Sequence, residues 1–354
     1  MDWDQLDLNR KVTAAIKRAK IRSLKEILNF SGPDIQRLTR LTITDIQHLQ
    51  KTVAAAVCQR PVITALHIYQ GTCPFPTQNQ RLSLGCPVLN SFLKGGIPLM
   101  GVTELSGESA AGKTQLSMQL CLSVQYPCKY GGLEGGAVYV CTEDAFPNKR
   151  LQQLISQQHK LRSDVPSNVL KKINFGDSIF IEHAADVEAL DECIAKRIPI
   201  LLLRGLVRLV VIDSIAALFR CEFEAKSSFA KAKHLQKFGG ALVSLSNRYV
   251  VPILCINQVT DAIDPSDSAQ NNFGLLDKKV MPSLGMVWSN QLLMRLMISR
   301  TPFKLQDKFP KAVDQTLQSG SILRIIEVVF APHLPQSFCY YTVEQEGVRG
   351  WKVD

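Results

Sequence analysis

No two of the ten cysteines form a CxxC pair, and no Cys/His group has zinc-ligand spacing. Zinc ribbons and dithiol redox sites are thereby set aside. Cys121, Cys141 and Cys255 fall inside apolar runs, which predicts buried, reduced thiols and a nuclear or cytoplasmic setting. There is also no uninterrupted apolar run of membrane length. The most apolar stretch, 198–219, is broken by Arg204, Arg208 and Asp213, so no membrane segment is expected. The opening Met1-Asp2-Trp3-Asp4 lacks the basic-then-apolar order of a secretion signal. Internal repeats, a low-complexity tail and the guanine-reading Asn-Lys-x-Asp motif are missing as well, and the last absence argues against a GTPase.

Positive charge, in contrast, is in excess. Lys and Arg number 41 against 31 Asp and Glu, a formal net charge of +10. Such a surface attracts polyanions, of which nucleic acid is the leading one, although excess charge also serves solubility. At 354 residues the chain exceeds the size at which single cores usually split, so two domains are expected.

Residues 1–60 predict short helices. Leu8, Val12, Ile16 and Ala19 share one face, Leu24, Ile27 and Leu28 begin a second, and Ser31-Gly32-Pro33-Asp34 and 42–45 give helix starts. This block holds eleven Lys/Arg against six Asp/Glu. It reads as a basic helical domain that either grips DNA phosphates or docks protein with a solvated basic face. Residues 61–80 read as a linker carrying a short strand, Val62-Ile63-Thr64-Ala65-Leu66, suited to adding itself to another subunit's sheet edge or to its own domain's edge. From 81 to 354, strand-like runs at 102–106, 137–142, 178–182, 208–213 and 252–258 alternate with helical segments, followed by strand-like 286–298, 321–330 and 338–344. The fold class is α/β, a mainly parallel sheet covered by helices on both faces.

Gly107-Glu108-Ser109-Ala110-Ala111-Gly112-Lys113-Thr114 fits the phosphate-loop pattern GxxxxGK(S/T), after a strand and before a helix. The glycines let backbone N–H groups converge on a phosphate, Lys113 reaches the β/γ oxygens, and Thr114 ligates magnesium. Leu209-Val210-Val211-Ile212-Asp213 is a buried-strand pattern ending in a carboxylate, which makes Asp213 the second magnesium residue. The strand at 137–142 ends at Glu143-Asp144, where Glu143 either activates the attacking water or caps the helix after Pro147. Asn257-Gln258 tips a third strand, with Gln258 the candidate γ-phosphate sensor. Two polar stretches follow strands: Arg220 to Lys233, with Lys226 and Lys231, and 260–282, with Lys278 and Lys279. These cations contact DNA or serve as solubilising charge.

This arrangement resembles the RecA-type recombination ATPases over nearly the whole chain. The Arg81-Leu82-Ser83-Leu84-Gly85-Cys86-Pro87 segment, Cys141-Thr142-Glu143-Asp144-Ala145-Phe146-Pro147 and Ala331-Pro332-His333-Leu334-Pro335 are similar to the vertebrate recombinase paralogues within that family. The resemblance implies ATP and Mg2+ as cofactors and a nuclear, also cytoplasmic, role in recombination repair of DNA breaks. It further implies a recombinase paralogue as heterodimer partner, contact with the main recombinase, and binding of single-stranded or branched DNA. On it, Gly107 to Thr114, Glu143, Asp213 and Gln258 match the family's nucleotide site. Three departures stand out. The family's aromatic Phe-x-x-Ala linker motif is replaced by Val62-Ile63-Thr64-Ala65, and valine buries less surface than phenylalanine. An aspartate placed over a neighbour's ATP is replaced by Phe330, and the long loops lack glycine-rich sequences. An ATP-regulated assembly factor is therefore expected rather than an autonomous strand-exchange enzyme. The alternatives are an ATP-stabilised adaptor that scarcely hydrolyses and a metabolic phosphate-loop kinase.

Overall fold

The structure, a computed structural model, describes all residues except 1–2, 4–5, 20, 22, 58–63, 71–79, 222–227, 262–279, 311–319 and 353–354. The chain divides into two compact units, Met1–Thr77 and Gln78–Asp354.

In the first unit, short polar side chains set the helix starts. Asn9, Ser23, Ser31 and Thr42 accept the backbone N–H groups of Lys11, Glu26, Asp34 and Asp45, opening helices Arg10–Arg18, Leu24–Asn29, Gly32–Thr39 and Ile43–Val57. Each cap satisfies an N–H that the first helical turn leaves without a partner. Val12, Ile16, Ile27, Ile35, Ile46, Leu49 and Val53 meet in one core, whereas Leu28, expected on the apolar face, is exposed. The strand expected at 62–66 is not formed where it is described. Thr64 is irregular and Ala65 begins a helix, Ala65–Tyr69, while Val62 and Ile63 lie outside the described residues. The reason is a reciprocal cap: Thr64 Oγ1 accepts the His67 N–H at 3.2 Å, and His67 Nδ1 accepts the Thr64 N–H at 3.4 Å.

The second unit is built on a ten-stranded sheet. A small antiparallel pair, β1 (Arg81–Leu82) and β2 (Ile97–Pro98), lies apart from it. The sheet's strands are β3 (Val102–Gly107), β4 (Gly136–Cys141), β5 (Ile179–His183), β6 (Val207–Asp213), β7 (Ile253–Asp261), β8 (Val280–Pro282), β9 (Met294–Lys304), β10 (Ile322–Phe330), β11 (Ser337–Val343) and β12 (Val348–Trp351). They run in the order β12-β11-β10-β9-β3-β7-β6-β4-β5, with β8 paired to β7. Pairing is parallel from β5 across to β9 and antiparallel from β9 to β12. Strand alternation sends Leu209 and Val211 of β6 into one core and Val210 and Ile212 into another, so the central strands are buried on both faces.

Two expectations for the C-terminal region need correction. Residues 286–298 are not one strand: Gly285–Ser289 is helical and β9 starts at Met294. Trp288 is fully buried from that helix and donates its indole N–H to Glu104 Oε2 at 2.7 Å, a tertiary bond that local periodicity does not report. β12 has no counterpart in the sequence reading, because Arg349 and Gly350 break its apolar pattern.

Candidate nucleotide site

Because β3, β4, β6 and β7 are parallel, their C-terminal ends converge on one edge of the sheet, where ligands of open α/β folds bind. Register places Gly107 opposite Gln258 and Cys141 opposite Asp213. The four sequence-derived strand tips are thus brought together, around a cavity of about 1250 Å³.

The phosphate loop leaves β3 at Gly107 with φ +156°, and Gly112 enters the following helix, Lys113–Ser123, at φ +110°. A Cβ on Gly107 would lie 2.2 Å from the Ile298 carbonyl oxygen, so only glycine fits. Tyr341 of β11 holds the loop from above, its hydroxyl donating to the Ala111 carbonyl at 2.7 Å. Lys113 donates to the carbonyls of Gly107 and Glu108 at 2.7 and 2.8 Å. Burial pulls its ammonium below the ordinary lysine range, opposed by Asp213, Glu143 and Glu108. Transferring a triphosphate into this cradle would supply anionic charge to a desolvated cation and to a helix N-terminus.

Thr114 Oγ1 donates to Asp213 Oδ2 at 2.8 Å, and the same oxygen accepts the Tyr139 hydroxyl at 2.5 Å. This hydroxyl–carboxylate pair beside the loop is the donor set that a magnesium ion takes, oxygen ligands with room for substrate oxygens and water. The tips of β4 and β6 are locked by Thr142, whose Oγ1 accepts the Ser214 N–H at 2.8 Å and donates to the Ser214 carbonyl at 2.7 Å. The lock sets Glu143 beside the cavity, within 3.4 Å of the Ser214 hydroxyl. Gln258 Nε2 donates to Glu143 Oε1 at 2.5 Å, so the two residues assigned to water activation and phosphate sensing touch each other. Asn257, in contrast, is turned away: it is buried, donates to Glu104 Oε1 at 3.1 Å and accepts from Ser283 at 2.8 Å.

Several cavity residues were not foreseen. Ser321, Ile322, Arg324, Val343, Glu344 and Gln345 form its far wall from β10 and the β11–β12 turn. Arg150 braces that wall, donating to the carbonyls of Glu344 and Gln345 at 2.6 and 2.9 Å and to Gln115 Oε1 at 2.7 Å. The contacts to Glu344 and Gln345 join positions nearly two hundred residues apart, and no local pattern announces them. Among the DNA candidates, Lys226, Lys278 and Lys279 lie outside the described residues. Lys231 and Lys233 sit near the start of helix Ser228–Tyr249, Lys233 exposed. Arg220, at the end of helix Ile215–Cys221, reaches inward and hydrogen-bonds Gln258 Oε1. Phe330 lies under the Arg295 guanidinium, 5.4 Å from its ring centre. No described helix is long and apolar enough to cross a membrane, and no described cluster of His, Cys, Asp and Glu is arranged as a metal site.

Comparison with known proteins agrees with this geometry. Residues 77–302 match the Rad51 family profile, and residues 3–57 match the XRCC3/RpoA-like helix-hairpin-helix domain. The chain is 54% identical over 350 residues to DNA repair protein XRCC3 of Mus musculus, covering 99% of this chain and 98% of the relative. It is 34% identical over 293 residues to the DNA repair protein XRCC3 homolog of Arabidopsis thaliana, covering 76% and 93%. DNA repair protein rhp57 of Schizosaccharomyces pombe is 26% identical over 369 residues, covering 96% and 97%. With its phosphate loop, its acidic strand tips and these matches, the chain belongs to the Rad51 family.

Proposed function

We propose that this chain is a nucleotide-switched recombinase paralogue, whose ATP state controls its grip on DNA and on a partner subunit. Its role is in repair of DNA by homologous recombination, in keeping with the family and with relatives named as DNA repair proteins. ATPases of this family use a nucleotide with Mg2+. The observation that carries the reading is the convergence of Lys113, the Thr114–Asp213 pair and the Glu143–Gln258 pair on one cavity. Lys113 and the loop backbone would hold the phosphates, and Thr114 and Asp213 would hold Mg2+, which neutralises charge on the phosphate oxygens when bound. Glu143 is placed to orient a water, and Gln258 to exchange its bond to Glu143 for one to the terminal phosphate. The partner is another recombinase paralogue, docked through the segment that includes Val62, Ile63, Thr64 and Ala65, and the main recombinase is a further contact. Single-stranded or branched DNA is the polyanion, and the nucleus the compartment.

Calorimetry with ATP tests the site: wild type binds, and Lys113→Ala does not while keeping its melting transition. Normal affinity in that variant would remove the site assignment. A second reading, a nucleotide-stabilised adaptor with negligible turnover, draws on Phe330. Phenylalanine has no carboxylate to offer a neighbouring site, and its ring lies against Arg295 of its own chain. Comparing turnover of wild type and Glu143→Gln with DNA and partner present separates the two. A fall favours the switch, and equal negligible rates favour the adaptor.

A further inference from the structure

The phosphate end of the cavity has an imbalance of charge. Of the described cations lining the cavity, Lys113 alone belongs to the phosphate loop, and Asp213, Glu143 and Glu108 all act on it. Arg150 and Arg324 also line the cavity, Arg150 directed to the carbonyls of Glu344 and Gln345 and Arg324 to the Ile322 carbonyl at 3.1 Å. A terminal phosphate arriving beside Glu143 would face a carboxylate, and a cation close to that carboxylate would offset the repulsion. At such short range, like charges cost free energy unless a countercharge is within a few ångströms.

That countercharge stands one hydrogen bond away. The Arg220 guanidinium donates to Gln258 Oε1, and Gln258 Nε2 donates to Glu143 Oε1. Arg220 is thereby held at the cavity mouth, behind the side chain that would sense the phosphate. Helix Ile215–Cys221 fixes its base, and the remainder of that helix, Ile215 to Phe219, is buried, so the guanidinium is delivered from a rigid mount. Lys231 lies close enough for the Arg220 charge to add to burial in lowering its ammonium's pKa. The planar fork of arginine matches phosphate oxygens better than an ammonium does.

We propose that Arg220 is a cation of the nucleotide site, supplied by the chain itself, which binds the terminal phosphate of ATP together with Gln258 rather than serving as a DNA contact. The proposal rests on the nucleotide-site reading above and deepens it. Selectivity for a triphosphate over a diphosphate follows, because only the terminal phosphate reaches the Arg220–Gln258 pair.

The test is calorimetric titration of the full-length chain with Mg·ATP and Mg·ADP, for wild type, Arg220→Ala and Arg220→Lys, alongside fluorescence-anisotropy binding of single-stranded DNA without nucleotide. Loss of one charge-assisted contact to phosphate predicts an ATP affinity about tenfold or more weaker in Arg220→Ala, with ADP affinity and DNA affinity within about twofold of wild type. Arg220→Lys, which keeps the charge without the fork, recovers part of the loss. Equal weakening of ATP and ADP, no weakening of either, or loss confined to DNA overturns the proposal. If wild type binds both nucleotides and any of these outcomes is found, only the role of Arg220 fails. If wild type binds neither nucleotide, the site reading fails with it.

Discussion

The Tyr139 hydroxyl donates to Asp213 Oδ2 at 2.5 Å from a fully buried position, and Thr114 shares the same oxygen. Burial, with the Asp213 charge next to it, holds the phenol well above its usual range, so it stays a donor at neutral pH. Tyr139 thus fixes the rotamer of Asp213, the carboxylate proposed to hold Mg2+. Outer-shell partners of this kind are worth roughly ten- to a hundredfold in metal affinity. Tyr139→Phe is expected to raise by that factor the Mg2+ concentration that half-saturates ATP binding, and to leave metal-free ATP binding unchanged. A magnesium titration at fixed ATP, read by calorimetry, checks it, and a parallel loss without metal would assign Tyr139 to folding alone.

His333 gives a pH signature away from the nucleotide. Its Nε2 lies 3.0 Å from Arg81 Nη1, and since guanidinium only donates, the ring must accept there as the neutral form. Burial, Arg81 and Lys94 together hold its pKa below the usual 6.5. The unfolded chain therefore binds more protons than the folded one as pH falls through 6.5, and stability declines on the acid side. His333→Gln removes the titrating group, so its melting temperature should fall less than that of wild type between pH 6.5 and pH 5. Thermal melts at four or five pH values decide; identical slopes would show that other groups govern acid unfolding.

The parts of this molecule legible in the sequence are those written in local pattern. The phosphate loop carries its own backbone requirements, which Gly107 meets against the Ile298 carbonyl. The runs 208–213 and 252–258 had to be strands buried on both faces, and parallel pairing then forced their polar tips to one edge. Gln258 and Glu143 were legible as neighbours in that sense, but their direct hydrogen bond was not. Contacts that depend on antiparallel strands folding back were illegible. Tyr341 over Ala111 and Arg150 against Glu344 link segments whose sequences name no partner. Thr64 shows the opposite failure: a β-branched run suggested a strand, and one reciprocal side-chain cap redirected the chain into a helix.

Glu104 and Arg295 meet in a buried bidentate pair, with both bonds at 3.1 Å and side chains 0% and 2% exposed. Trp288, Asn257 and Ser289 satisfy the remaining groups. Breaking one side strands a charge in the sheet, and such truncations cost about 3–5 kcal/mol. Arg295→Met is expected to lower stability by that amount, whereas the double variant Glu104→Gln/Arg295→Met should regain part of it. Urea unfolding followed by tryptophan fluorescence and circular dichroism measures both. A neutral single variant would mean that the pair is dispensable and that Asn257 is positioned by Ser283 alone.

Lys233 and Lys231 stand two residues apart in helix Ser228–Tyr249, so they point to different sides. Lys233 is exposed, while Lys231 is half-buried and feels Arg220. A phosphate contact releases bound counterions, and each one lost reduces the slope of log affinity against log salt by about 0.7 on single strands. Lys233→Ala is expected to flatten the slope by about that amount and to weaken all sequences alike. Lys231→Ala should flatten it less, because its ammonium is half-buried and less open to a phosphate. Anisotropy titrations of single-stranded and forked DNA from about 50 to 200 mM salt read both slopes. An unchanged slope for Lys233→Ala would remove this helix from the DNA path and leave the contacts to the basic positions 226, 278 and 279.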